Sequence, residues 1–254
     1  KTTRKVKFDV AMNFSGDLKE NIFLTLLRSP KKITPVWQNN HIFNNIITKP
    51  INRHEGGIVI PKSITNIYDV FDYIFKIVFD VPDVLANSSV SSKVINTIGL
   101  FPFASQGCRE WPLNNWDNLG LQLLAKGFIV YYVCADNKVN TLSSFKAQKK
   151  GALFFNEYSS DVFEIKKHID LAICLDSFSS HLAYFSGVRS IVIFGASPPQ
   201  LFSPKNATVV LSSGDCKHYP CFNSPKCIDS DFEYACIRTI SIDDVMDRVE
   251  NFNF

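Results

Sequence analysis

Apolar positions follow two rhythms along this chain. In the second half, continuous apolar, β-branched runs occur at Val94–Phe103, Phe128–Cys134, Ala152–Phe155, Leu171–Leu175, Ser190–Phe194 and Ala207–Leu211. Runs of that kind predict strands buried on both faces. Between most of them the apolar positions switch to helical spacing. Pro112 to Lys126 has proline near its first turn, Trp116, Leu119, Leu123 and Leu124 as its apolar positions, and Gly127 at its stop. Shorter helices are predicted at Val162–His168 and His181–Ser186. Strand, helix, strand in alternation implies a parallel sheet with right-handed crossovers. Residues 94–254 therefore read as one complete, doubly wound (Rossmann-like) α/β domain.

The first half is less regular. Phe8–Phe14 reads as a strand ending at Ser15-Gly16-Asp17, and Leu18–Arg28 follows with helical period. Ile33–Trp37 is a second strand candidate. Ile64–Phe79 is a strongly apolar helix candidate, with Ile67, Val70, Phe71, Ile74, Phe75 and Val78. Residues 38–62, rich in Asn, Pro and Gly, read as an extended loop, and Pro82 to Ser92 as a linker. Residues 1–93 are thus expected to be a partial α/β domain plus linker.

Composition narrows the function classes. With 254 residues, 46% of them hydrophobic and 20% charged, the chain can bury a core and is not a disordered tail. Lys plus Arg number 27 against 24 Asp plus Glu, a net charge of +3. That excess is too small for the basic face of a nucleic-acid binder. No apolar run is long enough to span a membrane, and no signal-peptide pattern opens the chain. The first residue is Lys1 rather than Met, which reads as an excerpt or a processed product.

Seven cysteines divide into two groups. Cys108, Cys134 and Cys174 lie among apolar stretches as small core residues. Cys216, Cys221, Cys227 and Cys236 crowd together with Cys-x4-Cys-x5-Cys-x8-Cys spacing. A secreted disulfide framework usually belongs to a much shorter chain, so a reducing cytoplasm is expected. Four thiolates in one loop can hold zinc or iron tetrahedrally, although the tight Cys-x2-Cys knuckle is missing. A structural metal and free or locally bridged thiols both stay open.

Two loops carry candidate chemistry, because open α/β sheets present ligands at the carboxyl ends of their strands. The first runs Phe101 to Pro112. Ala104, Ser105 and Gly107 allow close backbone approach, and Arg109 supplies a fixed cation, a combination fitted to phosphate or diphosphate. It equally reads as a polar connection whose arginine pairs with a carboxylate. The second loop runs from Leu175 to Leu182, with Asp176, Ser177, Ser179, Ser180 and His181. Asp176 reads either as a helix cap or as a ligand contact, and His181 as a packed structural histidine or part of the site. A Ser-His-Asp hydrolase triad is disfavoured, since the three are nearly consecutive and no Gly-x-Ser-x-Gly elbow exists. Phe194-Gly195-Ala196-Ser197-Pro198-Pro199 is a rigid turn that would shape a pocket wall.

Taken in order, Arg109-Glu110-Trp111-Pro112, then Asp176-Ser177-x-x-x-His181, then Phe194-Gly195-Ala196-Ser197-Pro198, then clustered cysteines ending Cys236-Ile237-Arg238-Thr239-Ile240, the sequence resembles the bacterial ADP-heptose lipopolysaccharide heptosyltransferases. The similarity covers roughly residues 94–250 well and Phe8–Arg28 weakly. It implies a GT-B glycosyltransferase whose C-terminal domain binds the nucleotide-sugar donor and whose N-terminal domain faces the acceptor. It implies transfer of heptose from ADP-heptose to the lipopolysaccharide inner core, inverting and without a metal cofactor, in the cytoplasm or peripheral to the inner membrane. Alternatives within the resemblance are another sugar donor, a protein acceptor, or a non-catalytic nucleotide-sugar-binding relative.

The resemblance also assigns residues. The basic residue before Trp-Pro contacts the donor phosphates, which falls on Arg109. Ser105 and, imperfectly, Ala104 match the small residues that approach the diphosphate. Asp176, Ser177 and His181 match the loop that grips the nucleotide sugar, and Asp136 is the nearest match to the acidic residue on the adenosine ribose. Departures are Phe178 where the family has glycine and Arg109 where lysine is more usual. The family's catalytic base is an Asp in the first strand–loop–helix unit. Nothing here matches it, Asp9 being inside a predicted strand, so the base is expected in residues before Lys1.

Overall fold

The computed structural model describes residues 7–12, 29–37, 57–80, 94–156, 162–212, 216–222 and 224–252. The predicted helix at Leu18–Arg28 and the linker at Pro82 to Ser92 lie outside them. The chain divides into two compact units, Lys1–Ala86 and Asn87–Phe254.

In the first unit, β1 (Val10–Met12), β2 (Lys31–Trp37) and β3 (Gly57–Ile60) form a parallel sheet in that order. Asp9 is exposed and immediately precedes β1 rather than lying inside it. Residues 57–60, expected within an extended loop, are the strand β3: the Ile58–Ile60 run pairs with Pro35–Trp37. Helix α1 (Ile67–Phe79) opens at Asn66, whose Oδ1 accepts from the Tyr68 amide at 2.9 Å, and ends at Asp80 in the left-handed region. Its Val70 and Ile74 are buried with Ile33 and Ile60, a small core that burial of apolar surface stabilises.

The second unit is built on six parallel strands: β4 (Thr97–Phe101), β5 (Ile129–Cys134), β6 (Leu153–Asn156), β7 (Leu171–Leu175), β8 (Arg189–Phe194) and β9 (Ala207–Leu211). Their order is β6-β5-β4-β7-β8-β9. The chain therefore winds outward one way from β4, returns, and winds the other way from β7. Between β4 and β7 lies the topological switch point, where open sheets hold ligands.

Successive residues of the central strands enter two cores. Ile98, Leu100, Leu171, Ile173, Leu175, Ile191 and Ile193 join Trp116, Leu119 and Leu123 of α2 (Leu113–Ala125). Phe101, Ala172, Cys174, Val192 and Phe194 face Leu182 and Ala183 on the other side. Both faces are covered, which is why the strands read as unbroken apolar runs. Helix α2 starts after Pro112 and stops before Gly127, whose φ of +89° suits glycine. Helix α3 (Asp136–Leu142) follows β5, α4 (Phe178–Phe185) follows β7, and α5 (Ile242–Glu250) closes the chain behind a Ser241/Asp244 capping box. The predicted helix at residues 162–168 is a 3-10 helix over Val162–Lys167.

Candidate functional site

The loop after β4 is held from behind. A 3-10 turn at Gly107–Arg109 is closed by the Arg109 amide on Gln106 O (2.9 Å) and the Glu110 amide on Gly107 O (3.1 Å). Trp111 is buried against Trp116, edge to face with centroids 5.2 Å apart, and its indole N–H donates to Ile240 O at 2.9 Å. The loop also packs on the turn after β8. A Cβ added at Gly195 would lie 2.7 Å from the Cys108 carbonyl oxygen, so only glycine allows this approach. The rigid Phe194–Pro198 turn thus braces the loop.

The loop after β7 is shorter and more buried. Its helix begins at Phe178, three residues before the predicted start, and Ser177 is its N-cap. Ser177 Oγ accepts from the Ser179 amide at 3.4 Å and lies 2.8 Å from Ser179 Oγ. The cap expected of Asp176 is therefore Ser177's, because Ser177 has the extended backbone that capping requires. Asp176 has another partner. Its carbonyl accepts from Arg109 Nη1 at 3.2 Å, and its Oδ2 lies 3.6 Å from the same nitrogen. With Asp176 only 4% exposed and Arg109 19%, the pair joins the two loops across the switch point. Burial holds the His181 imidazole below its ordinary pKa, opposed by Asp176 and reinforced by Arg109.

At the carboxyl ends of β5, β4 and β7 lies a cavity of about 340 Å³. Phe103, Ala104 and Ser105 wall it from one loop, Ala135, Asn137 and Lys138 from another, and Ser177, Phe178 and Ser179 from the third. Ser105 and Ser177, seventy-two positions apart, thus share one wall-to-wall space. Arg109, His181 and Asp136 are not among its lining residues. Arg109 is turned to Asp176, and Asp136 is an exposed first residue of α3 whose neighbours Asn137 and Lys138 reach the cavity instead.

A second cavity, about 500 Å³, lies beyond the carboxyl end of β9. Cys216, Cys227 and Cys236 line it with Lys217, His218 and Phe232. Burial, then the neighbouring thiols, push the Cys236 pKa up to about 11. Among the described residues, no three His, Cys, Asp or Glu side chains gather closely enough to hold a metal ion. The expected four-thiolate centre of Cys216, Cys221, Cys227 and Cys236 is not assembled in this arrangement. Its thiols line a cavity instead, and a metal would have to displace their protons.

The sequence profile of glycosyltransferase family 9 (heptosyltransferase) matches residues 1–230. The chain belongs to this family. Solved structures of similar fold include E. coli heptosyltransferase WaaC with ADP, at TM-score 0.64 and 13% identity, covering 99% of this chain and 75% of that one. E. coli ADP-heptose lps heptosyltransferase II aligns at TM-score 0.62 and 13% identity, covering 99% of this chain and 78% of that one. The iron-containing dodecameric glycosyltransferase TibC of enterotoxigenic E. coli aligns at TM-score 0.57 and 14% identity, covering 97% and 80%. No curated protein sequence matches this chain.

This family 9 glycosyltransferase has the GT-B architecture expected from its motifs, including the six-stranded parallel sheet. Among the described residues, no helix is long and apolar enough to cross a membrane. Sequence reasoning overlooked Asn137, Lys138 and Ser179 as cavity residues. The signal available for Lys138 was its place two residues after Asp136, at the mouth of the strand next to β4. A search for one acidic ribose ligand passed over it.

Proposed function

We propose that this glycosyltransferase moves a heptose from ADP-heptose onto a hydroxyl of a lipopolysaccharide inner-core acceptor at the cytoplasmic side of the inner membrane. The observation that carries the reading is the cavity at the switch point, where Ser105 and Ser177 face a common space large enough for a small ligand. Hydroxyls and backbone amides at the start of α4 are chemistry that diphosphate oxygens accept. WaaC, a structural neighbour, is described with ADP and with ADP-2-deoxy-2-fluoro heptose.

In this reading the acceptor oxygen attacks the anomeric carbon as the bond to the ADP β-phosphate oxygen breaks, with inversion. Ser105, Ser177 and the α4 amides stabilise the charge that grows on the departing diphosphate, without a divalent metal. Arg109 neutralises Asp176 and holds the Ser177 loop at its working distance, with His181 supporting α4 from behind. Asp136 sits where the ribose would meet the rim. The residue that takes the acceptor proton belongs to the acceptor-side domain, as the resemblance implies.

Phe178 favours a second reading. It lines the cavity while 57% exposed, at the position where the resembling family carries glycine. A side chain there reshapes the space beside the diphosphate and fits the same chemistry with a different sugar. Calorimetry with ADP, UDP and GDP, followed by turnover with the matching nucleotide sugars in EDTA, tests both. Selective ADP binding and an inverted heptosyl product support the first reading. Tight binding of another nucleoside diphosphate supports the second, and binding of none overturns both.

A further inference from the structure

The charge inside the donor cavity is not where the motif Arg109-Glu110-Trp111-Pro112 would put it. Arg109 Nη1 is engaged by the Asp176 carbonyl at 3.2 Å and faces its carboxylate at 3.6 Å. An arginine in that position ties two loops together, and its charge is offset by the carboxylate it holds. Lys138 is the one ionised side chain among the cavity's lining residues, and no carboxylate lines it. Its ammonium lies 5.0 Å from the centroid of the Phe103 ring, which belongs to the opposite wall. An aromatic face holds a cation in place without neutralising it, and an exposed contact of this kind stabilises by only about 0.5–1 kcal/mol. The ammonium therefore keeps most of its attraction for an anion.

Around it the hydroxyls of Ser105, Ser177 and Ser179 complete a polar lining. Three loops from three neighbouring strands contribute, so the arrangement is fixed by the sheet rather than by one flexible segment. One mobile point charge beside several hydroxyls matches a diphosphate, whose negative charge is spread over several oxygens.

We infer that Lys138 is the cation that binds the donor's diphosphate, and that Arg109 is a positioning residue which holds the Asp176–Ser177 loop against it. The inference rests on the nucleotide-sugar reading above and names the residue that supplies its charge. Lys138 is exposed near the start of a short surface helix, so its replacement leaves both cores untouched.

The test is calorimetric titration of the intact protein and of Lys138→Ala, Lys138→Gln and Lys138→Arg with ADP and AMP, with adenosine followed by ligand-observed NMR. Loss of a charge-assisted contact should weaken ADP about tenfold or more in the Ala and Gln variants. AMP should weaken less and adenosine not at all, with arginine restoring most of the ADP affinity and unfolding temperatures unchanged. If the intact protein binds ADP and Lys138→Ala binds it equally well, Lys138 is not the diphosphate cation and the nucleotide-sugar reading stands without it. If adenosine weakens as much as ADP, the effect is not one of charge and the inference is overturned. If the intact protein binds no nucleoside diphosphate among ADP, UDP and GDP, the underlying reading fails and the inference falls with it.

Discussion

Two cavities open on the same carboxyl edge of one sheet, and the larger is the less suited to a nucleotide sugar. The cavity beyond β9 has about 500 Å³, lined by thiols, Phe232 and the flexible stems of Lys217 and Lys226. The cavity over β5, β4 and β7 has about 340 Å³ but gathers hydroxyls and a cation at the switch point. Size alone would choose the first. Position and chemistry choose the second, because a diphosphate needs donors whose directions the fold fixes. The same edge thus carries one space organised for polar recognition and one lined by groups that burial keeps uncharged, Cys236 among them.

The two are mechanically joined through Trp111, which packs beneath the donor loop and donates to Ile240, next to the wall residue Thr239. Trp111→Ala should give the largest effect, about 3–5 kcal/mol of lost stability with both cavities disturbed. Trp111→Phe keeps most of the packing but strands the Ile240 carbonyl, and should cost about 1–3 kcal/mol. Denaturant unfolding of both variants checks this, and a Trp111→Ala protein as stable as the parent would break the link. Arg109→Ala comes next. It leaves the buried Asp176 carboxylate without its cation and frees the Ser177 loop, so ADP affinity should fall by about 1.5–3 kcal/mol. Stability should fall with it, since an uncompensated charge is left behind. An unchanged ADP titration would show that the Arg109–Asp176 contact does not set the donor cavity.

Much of the sheet was legible because its strands are apolar on both faces. Leu171–Leu175 and Ala207–Leu211 coincide residue for residue with apolar runs, and α2 falls between its Pro112 and Gly127 signals. Strand β3 was missed because Ile58–Ile60 is short and set between glycines and Pro61, so turn signals outweighed it. The start of α4 was missed because Ser179-Ser180 reads as loop, whereas Ser177 caps a helix that includes both. The site was legible as two loops and not as a set of contacts. Spacing can bring Arg109 and Asp176 to one edge, but it cannot say that they bind each other rather than the ligand. Nor does cysteine spacing decide whether four sulfurs converge, since that depends on the loop's path between them.

The cysteine side should answer differently to substitution. Cys236 is half-buried beside α5's core residue Ile237, and Cys236→Ser places a more polar group there. Stability should fall by about 1 kcal/mol while ADP affinity stays within about twofold. Thermal unfolding paired with ADP titration reads both quantities. A variant that keeps its unfolding temperature but loses ADP binding would mean that the two cavities act as one site.

The smallest expected effect separates the two sides by pH. His181 on α4 is held below its ordinary value of 6.5, chiefly by burial. The unfolded chain therefore takes up a proton at a pH where the folded one resists it. Stability from this group is fully present above about pH 6.5 and falls as pH drops through the folded value, by at most about 1.4 kcal/mol per pH unit. On the cysteine side nothing comparable titrates, because the raised Cys236 thiol stays protonated throughout that range. Denaturant unfolding of the parent and of His181→Gln between about pH 7.5 and 5.5 isolates the contribution, since other titrating groups are common to both. The parent should lose its advantage over the variant as pH falls. If the two curves stay parallel, burial of a neutral imidazole is not what distinguishes the donor-side helix.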